Sequence, residues 1–431
     1  MKKINLLFDA TIIVQYMNVM NICRSGIYFV ACNILQYFVK NHYFNITLLI
    51  PPGINFNPNQ KIENFLSSFP TIPFYDLSTY KSNITLHKEQ IQKSKNISVI
   101  IVHLLKIIKN TIILFYRKIK YKRYIKNIHI YFTPIYAVPD FIALSKKRLS
   151  IFHILYDCIP ILACLSEQSY VTVSQWFSNV LEKINKETYY FCISECTRND
   201  FLKELSPKLD KDKMFVTPLA ASQTFFPNYD KMSIDKTLKE YGITYKENDI
   251  YILSLCNIEP RKNLIFTIRC FIKFIERNKL DHVFFYIGGG FYGSYKNTFF
   301  DEMQSLNNGK NKVVFLGYVD DEDKNILYSN SLFFTFLSQY EGFGLPPLEA
   351  MQAGTPVICS NNSSLPEVVG DAAITITYND EEACIKAFEN LYFNEDLRRH
   401  YIEKGLERAK FFSWEKTANI MTEVITKVLN E

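Results

Sequence analysis

Glycine is scarce in this chain. Fourteen in 431 residues is about half the usual ~7%, and only Gly26 and Gly53 precede position 242. A chain that avoids glycine spends it where the backbone needs φ > 0 or a close approach, so the later cluster marks loops that matter. CxxC pairs are missing from the ten cysteines (Cys23, Cys32, Cys158, Cys164, Cys192, Cys196, Cys256, Cys270, Cys359, Cys384), which therefore read as buried reduced thiols in a cytoplasmic protein. Cys192 and Cys196 flank Ser194 without a nearby His or second Cys pair, so no metal site is assigned to them. A long uninterrupted apolar run is missing too. The most apolar region, 97–116, carries His103, Lys106, Lys109 and Asn110, too many polar groups for a lipid-spanning helix of ~20 residues. The first residues imitate a signal peptide, but Asp9 cuts the apolar stretch short and no small-residue cleavage site follows. Charge excess is small: 49 Lys and Arg against 43 Asp and Glu leave +6, below what a dedicated nucleic-acid binder shows.

What is present is enough apolar and aromatic material, 48% and 15%, for two to four domains at roughly 100 to 200 residues each. From about position 250, short β-branched and aromatic runs (251–255, 282–287, 312–316, 332–337, 355–359, 372–376) alternate with helical segments such as 264–277, 294–306 and 321–328. That alternation predicts a parallel, doubly wound sheet with its ligand at the carboxyl ends of the strands. The first half carries strand patterns at 4–8, 46–50, 128–132, 151–156 and 189–193, with Ser194 standing where a helix N-cap belongs. A polar, Lys-rich stretch, 226–249, reads as a linker between an α/β domain at 1–225 and another at 250–412, followed by a terminal helix at 413–431 capped by Ser413. A basic run with interleaved aromatics, Arg117 to Tyr124, follows an apolar segment and suits contact with an anionic leaflet as well as it suits a solvated helix face.

The stretch Ser338-Gln339-Tyr340-Glu341-Gly342-Phe343-Gly344-Leu345-Pro346-Pro347-Leu348-Glu349 follows a strand and opens a helix. Gly342 and Gly344 permit a tight turn with exposed amides, Pro346 fits a first helical turn, and such a helix N-terminus favours an anion. Glu341 and Glu349 then face one ligand-sized space from its two ends. A carboxylate can hold a vicinal diol, and another can stabilise a cationic, oxocarbenium-like centre. Upstream, Asn257-Ile258-Glu259-Pro260-Arg261-Lys262-Asn263 places two cations in a strand-to-helix loop, where the charge of a leaving diphosphate could be neutralised. The run Gly288-Gly289-Gly290-Phe291-Tyr292-Gly293 fits a dinucleotide fingerprint literally, but it follows the second strand of its domain and lacks the acidic residue about 20 positions on.

Together with Ser364-Leu365-Pro366-Glu367-Val368-Val369-Gly370-Asp371, these segments resemble the family-4 glycosyltransferases: retaining, nucleotide-sugar-dependent enzymes of GT-B architecture. The resemblance is dense from 252 to 376 and weak before it. It implies that Glu341 lies near the transferred sugar and that Gly342, Phe343, Gly344 and Leu345 present backbone to sugar or phosphate. It further implies that Glu349 holds the ribose hydroxyls, that Arg261 and Lys262 bind the diphosphate, and that backbone at Gly317 and Val319 meets the base. Arg24-Ser25-Gly26 matches the family's phosphate-contacting loop in the first domain. Where many members have a glycine-arginine start this chain has Cys256 and Asn257, and their His-Asp pair is Tyr156-Asp157 here, leaving Asp157 as an acceptor-side candidate and His153 as a core residue.

The expectation is therefore an α/β protein of GT-B type, two Rossmann-like domains facing a cleft, with Glu341, Asp157, Lys262 and Arg261 at the reaction centre. It would move a sugar from a nucleotide diphosphate, GDP-mannose preferred by resemblance, to a glycan or lipid-linked glycan. Neither metal nor other cofactor is expected, since a DxD carboxylate pair in a suitable loop is missing and cationic side chains with a helix N-terminus can replace Mg²⁺. A nucleotide-sugar epimerase and a non-catalytic scaffold of the same fold are the alternatives, and a dehydrogenase is more distant.

Overall fold

Apolar runs bordered by loops become parallel strands in both halves of the chain. The computed structural model describes residues 3–13, 26–50, 74–76, 88, 102–109, 111–112, 127–135, 142, 149–161, 184–244, 246, 248–291 and 295–431. In the first half, β1 (Ile4–Asp9), β2 (Phe44–Ile50), β3 (Phe74–Asp76), β4 (Ile130–Thr133), β5 (Ser150–Leu155), β6 (Tyr189–Cys192) and β7 (Met214–Val216) form a sheet in the order β3-β2-β1-β4-β5-β6-β7. Every pairing in it is parallel; Leu6, for example, lies between Ile46 and Ile130. All four residues of β4 are buried, as expected of a strand covered on both faces, where an unbroken apolar run replaces alternation.

The second half repeats the scheme. Strands β8 (Ile250–Leu255), β9 (Val283–Gly288), β10 (Val313–Gly317), β11 (Phe334–Phe336), β12 (Val357–Ser360) and β13 (Ile374–Ile376) form a parallel sheet ordered β10-β9-β8-β11-β12-β13. In each sheet the order reverses beside the first strand, so a crevice opens at the carboxyl ends of β1 and β4 and of β8 and β11.

Helices cover these sheets for local reasons. The first, α1 (Gly26–Lys40), buries Val30, Ile34 and Phe38 at a four-residue spacing. Next, α2 (Glu195–Leu205) begins at Ser194, whose hydroxyl accepts the Thr197 amide, in agreement with its expected role as a cap. In the second half, α4 (Leu264–Arg277) buries Leu264, Ile268, Phe271 and Ile275 on one stripe. Further helices are α5 (Lys296–Asn307), α6 (Asp321–Ser329), α7 (Leu345–Gln352), α8 (Leu365–Val369), α9 (Glu381–Phe393) and α10 (Glu395–Ala409).

The polar stretch 226–249 is not merely a connection. It contains α3 (Lys231–Glu240), capped by Asp230 and fixed by two buried apolar side chains, Ile234 and Leu238. Tyr241 ties its end to α6 by donating to Asp323 at 2.8 Å. The last helix, α11 (Trp414–Asn430), is capped by Ser413 and returns to the first half: the Thr417 hydroxyl donates to the Pro218 carbonyl at 2.5 Å, and Trp414 is buried in the core shared by both sheets. Eight described cysteines are free thiols, five of them buried.

Candidate active site

Three loops at the carboxyl end of the second sheet are laced together. After β8 the chain makes a tight turn at Pro260–Lys262, ended by Asn263 in the left-handed region at φ 58°. The loop after β11 bonds to that turn: the Gln339 amide donates to the Arg261 carbonyl at 2.8 Å. The loop after β12 secures the next residues, since the Glu341 amide donates to the Ser363 hydroxyl at 3.0 Å and Ser364 donates to the carbonyls of Glu341 and Phe343 at 2.9 and 2.7 Å. Glu341 is thereby brought into one cluster with Arg261 and with Lys262, which lies 79 residues before it in sequence.

Four ionisable side chains are buried there, Glu259, Arg261, Lys262 and Glu341, none more than 9% exposed. One Glu341 oxygen lies 2.9 Å from Arg261 Nη1 and 2.5 Å from Lys262 Nζ. Burial alone would raise the Glu341 pKa, but the adjacent guanidinium and ammonium outweigh it and hold the carboxyl at about 2. Arg261 is further occupied by the Glu259 carboxylate and the Tyr340 carbonyl. Lys262 makes one such bond and lies 5.0 Å over the Phe336 ring. An ammonium has three donors, so Lys262 retains capacity for a phosphate while Arg261 is largely spent on its own carboxylates.

Glu349 lies one turn into α7 and accepts from the Tyr328 hydroxyl at 3.1 Å. Burial raises its pKa, opposed by the charge of Lys324 and by the Tyr328 bond. Helix α7 itself starts at Gly344, φ 114°, with no side chain capping its amides. A Cβ placed on Gly26, at the start of α1, would stand 3.9 Å from Leu345 Cδ1. Two helix N-termini, one from each half, thus meet, a setting that favours an anion.

The first half contributes Asp157, just past β5. Its pKa is raised to about 6, chiefly by burial, against the opposing charge of Arg261 and a 3.1 Å bond from the Ile159 amide. Nearby His153 is buried in β5 and pushed down to about 3 by burial, which makes it a neutral core residue.

Gly342 also has a packing role. A Cβ there would lie 2.5 Å from the Tyr156 carbonyl oxygen and 2.8 Å from Asp157 Cβ, so glycine lets the two halves touch. Its carbonyl accepts from Ser194 and Thr197 hydroxyls at 2.6 and 3.1 Å. Phe343 and Val319 turn their side chains into the core, Phe343 edge-on to Phe412, and have only backbone to offer a ligand. Gly317, φ 78°, ends β10 with open space above it. Arg24, Ser25, Tyr292 to Ser294 and the basic run Arg117 to Tyr124 lie outside the described residues.

Sequence reasoning assigned no role to Glu259, Lys324, Tyr328 or Glu367. Glu259 and Glu367 do sit inside the quoted motifs, but their partners are set by folding. Tyr328 and Lys324 carried only the helical pattern of α6.

Two doubly wound sheets facing a cleft, with a cluster of two cations and two carboxylates and two helix N-termini at their strand ends, have the GT-B architecture. Residues 236–408 match the family Glycosyl transferases group 1, which indicates a transferase enzyme. It is 28% identical over 297 residues to O-antigen chain mannosyltransferase B of Escherichia coli, covering 69% of this chain and 73% of that one. With the serotype-specific mannosyltransferase WbdA of Escherichia coli it shares 26% over 290 residues, 64% of this chain but only 33% of that larger protein. Among solved structures, sucrose-phosphate synthase from Thermosynechococcus elongatus superposes with a TM-score of 0.69 at 14% identity, over 99% of this chain and 100% of that chain.

Proposed function

We propose that the enzyme transfers mannose from GDP-mannose, with retention of anomeric configuration and without a metal, to a hydroxyl of a glycan or lipid-linked glycan in surface-polysaccharide assembly. The buried Lys262–Glu341–Arg261 cluster at the opening of α7 carries this reading. Lys262 and the α7 amides neutralise the leaving diphosphate, Glu349 holds the ribose diol, and Glu341, ionised at any physiological pH, faces the sugar as positive charge develops at its anomeric carbon. Asp157, with a pKa of about 6, stands on the acceptor side of the cleft. No side chain of the cluster is placed as an unencumbered nucleophile, which favours front-face transfer in which the departing phosphate takes the acceptor proton. The mannosyltransferase relatives support the choice of sugar. Arg261 acts mainly by holding Glu341 in place.

The protein would work in the cytoplasm at the inner face of a membrane, where lipid-linked acceptors are presented. Among the described residues no helix is long and apolar enough to cross a membrane. A helical stretch at 102–109 and 111–112, however, leaves Leu104, Leu105, Ile108 and Ile112 exposed. Of these, Leu104, Leu105 and Ile108 fall on one arc of the 102–109 stretch with Lys109 at its edge, an arrangement suited to lying in the headgroup region.

A thermal-shift panel of GDP, UDP and ADP tests the donor. GDP is expected to raise the Tm most, by an amount that grows with its concentration. A larger shift with UDP or ADP would displace GDP-mannose as donor, and no shift with any of them would remove the diphosphate site.

A further inference from the structure

We propose that Glu367 is a positioning residue for transfer: it grips the N-terminus of α2 across the cleft and so sets the register in which Asp157 of one half meets Glu341 of the other. Glu367 belongs to the second half, on α8. Its two carboxylate oxygens accept the amides of Glu195 and Cys196, in the first turn of α2, at 2.9 and 3.0 Å. Those amides have no partner within their own helix, and the positive end of the helix dipole favours a carboxylate there. One charged side chain thus satisfies two donors of the opposite half.

The geometry around this contact links it to the reaction centre. Ser194, the cap of α2, and Thr197 both donate to the Gly342 carbonyl, and Thr197 also reaches the Tyr156 carbonyl at 2.9 Å. Gly342 adjoins Glu341, and Tyr156 adjoins Asp157. A shift of α2 relative to α8 would therefore drag the two carboxyls apart. Glu367 is itself held: Arg408 donates to the carbonyls of Glu367 and Val368 at 2.6 and 2.9 Å, and its guanidinium lies over the rings of Phe411 and Phe412. Tyr340 adds a second bond across the cleft to Asp200 on α2. Lys262 and Glu349, the donor-side residues of the second half, take no part in these contacts, so donor binding is expected to depend on them less than transfer does. The inference rests on the donor lying on that second half, and donor binding is measured alongside for that reason.

The test places spin labels, through non-natural residues, at the exposed positions Lys211 and Lys386 of the full-length chain. Glu367→Ala should lengthen and broaden the distance distribution, while Glu367→Gln, which keeps one acceptor oxygen, should restore it in part. GDP affinity should stay within about twofold of the wild type, and kcat for transfer from GDP-mannose should fall about tenfold or more at unchanged KM. An unaltered distance distribution in Glu367→Ala, or a lowered Tm with wild-type kcat, overturns the proposal. Failure of the wild type to bind GDP would instead strike the donor reading, and the label distances would still decide on Glu367.

Discussion

Asp157, partly buried, and Glu341, buried, are both carboxyls at the cleft, yet their surroundings push them in opposite directions. Glu341 has two cations within 3 Å and is held at about 2, so its pairing stabilises the fold above the usual carboxylate range and is lost as pH falls towards 2. Asp157 is raised to about 6, so the folded protein binds its proton more tightly than the unfolded chain does. Stability must then decrease as pH rises from the ordinary value near 4 to about 6, by about 3 kcal/mol for a shift of some two units. Asp157→Asn removes that penalty. Its Tm relative to wild type should climb between pH 4 and pH 7 while transfer is lost; an offset that stays flat across that range would show that Asp157 is not raised. Lys262→Ala should cut kcat about 100-fold by removing charge opposite the leaving phosphate. It also strands Glu341 with Arg261 alone, so a GDP titration of the variant separates lost binding from lost chemistry.

Elements were legible where one local rule decided them. Ser194 and Ser413 marked the starts of α2 and α11, and the 3.6-residue stripe of α4 gave both of its ends. Strands β3 and β7, three residues each, were too short to show a pattern, and α3 hid in lysines because Ile234 and Leu238 are the only apolar residues buried on it. The glycine cluster after position 242 did mark strand-end loops, but much of its work is packing. At Gly289, φ 145°, a Cβ would fall 1.7 Å from the Cys256 carbonyl oxygen, a clash that only backbone movement relieves. Gly289→Ala should therefore cost about 3 kcal/mol or more in urea unfolding. Gly242 has a positive φ as well, 75°, with nothing within 4 Å, so Gly242→Ala should cost only about 1 kcal/mol of conformational strain. Similar losses at the two sites would mean that strand-end crowding is not what fixes Gly289.

At the scale of the molecule, the parallel alternation was readable from position 250 onward because each strand is a short apolar run between loops, and the fold class followed. The way the halves meet was not readable. The bonds that join them, Glu367 to α2 and Ser194 to Gly342, connect residues 148 or more apart and leave no periodic trace. Charge placement was readable but easily averaged away. Residues 90–139 contain ten Lys and Arg and no Asp or Glu, while the whole chain is only +6, so the rest is net −4. The membrane contact proposed above would draw on that charge, each Lys or Arg near an anionic leaflet being worth about 1 kcal/mol. The exposed Leu104, Leu105, Ile108 and Ile112 lie within that same stretch and add apolar contact that salt does not screen. Full-length protein should accordingly sediment with vesicles containing phosphatidylglycerol and much less with pure phosphatidylcholine, and added salt should weaken the binding without abolishing it. Ile108→Glu changes a side chain 54% exposed, so it should leave the Tm unaltered and sharply reduce sedimentation. Equal binding to both lipids would remove the electrostatic part of the interaction, and an unaffected Ile108→Glu variant would remove the helix face as the docking surface.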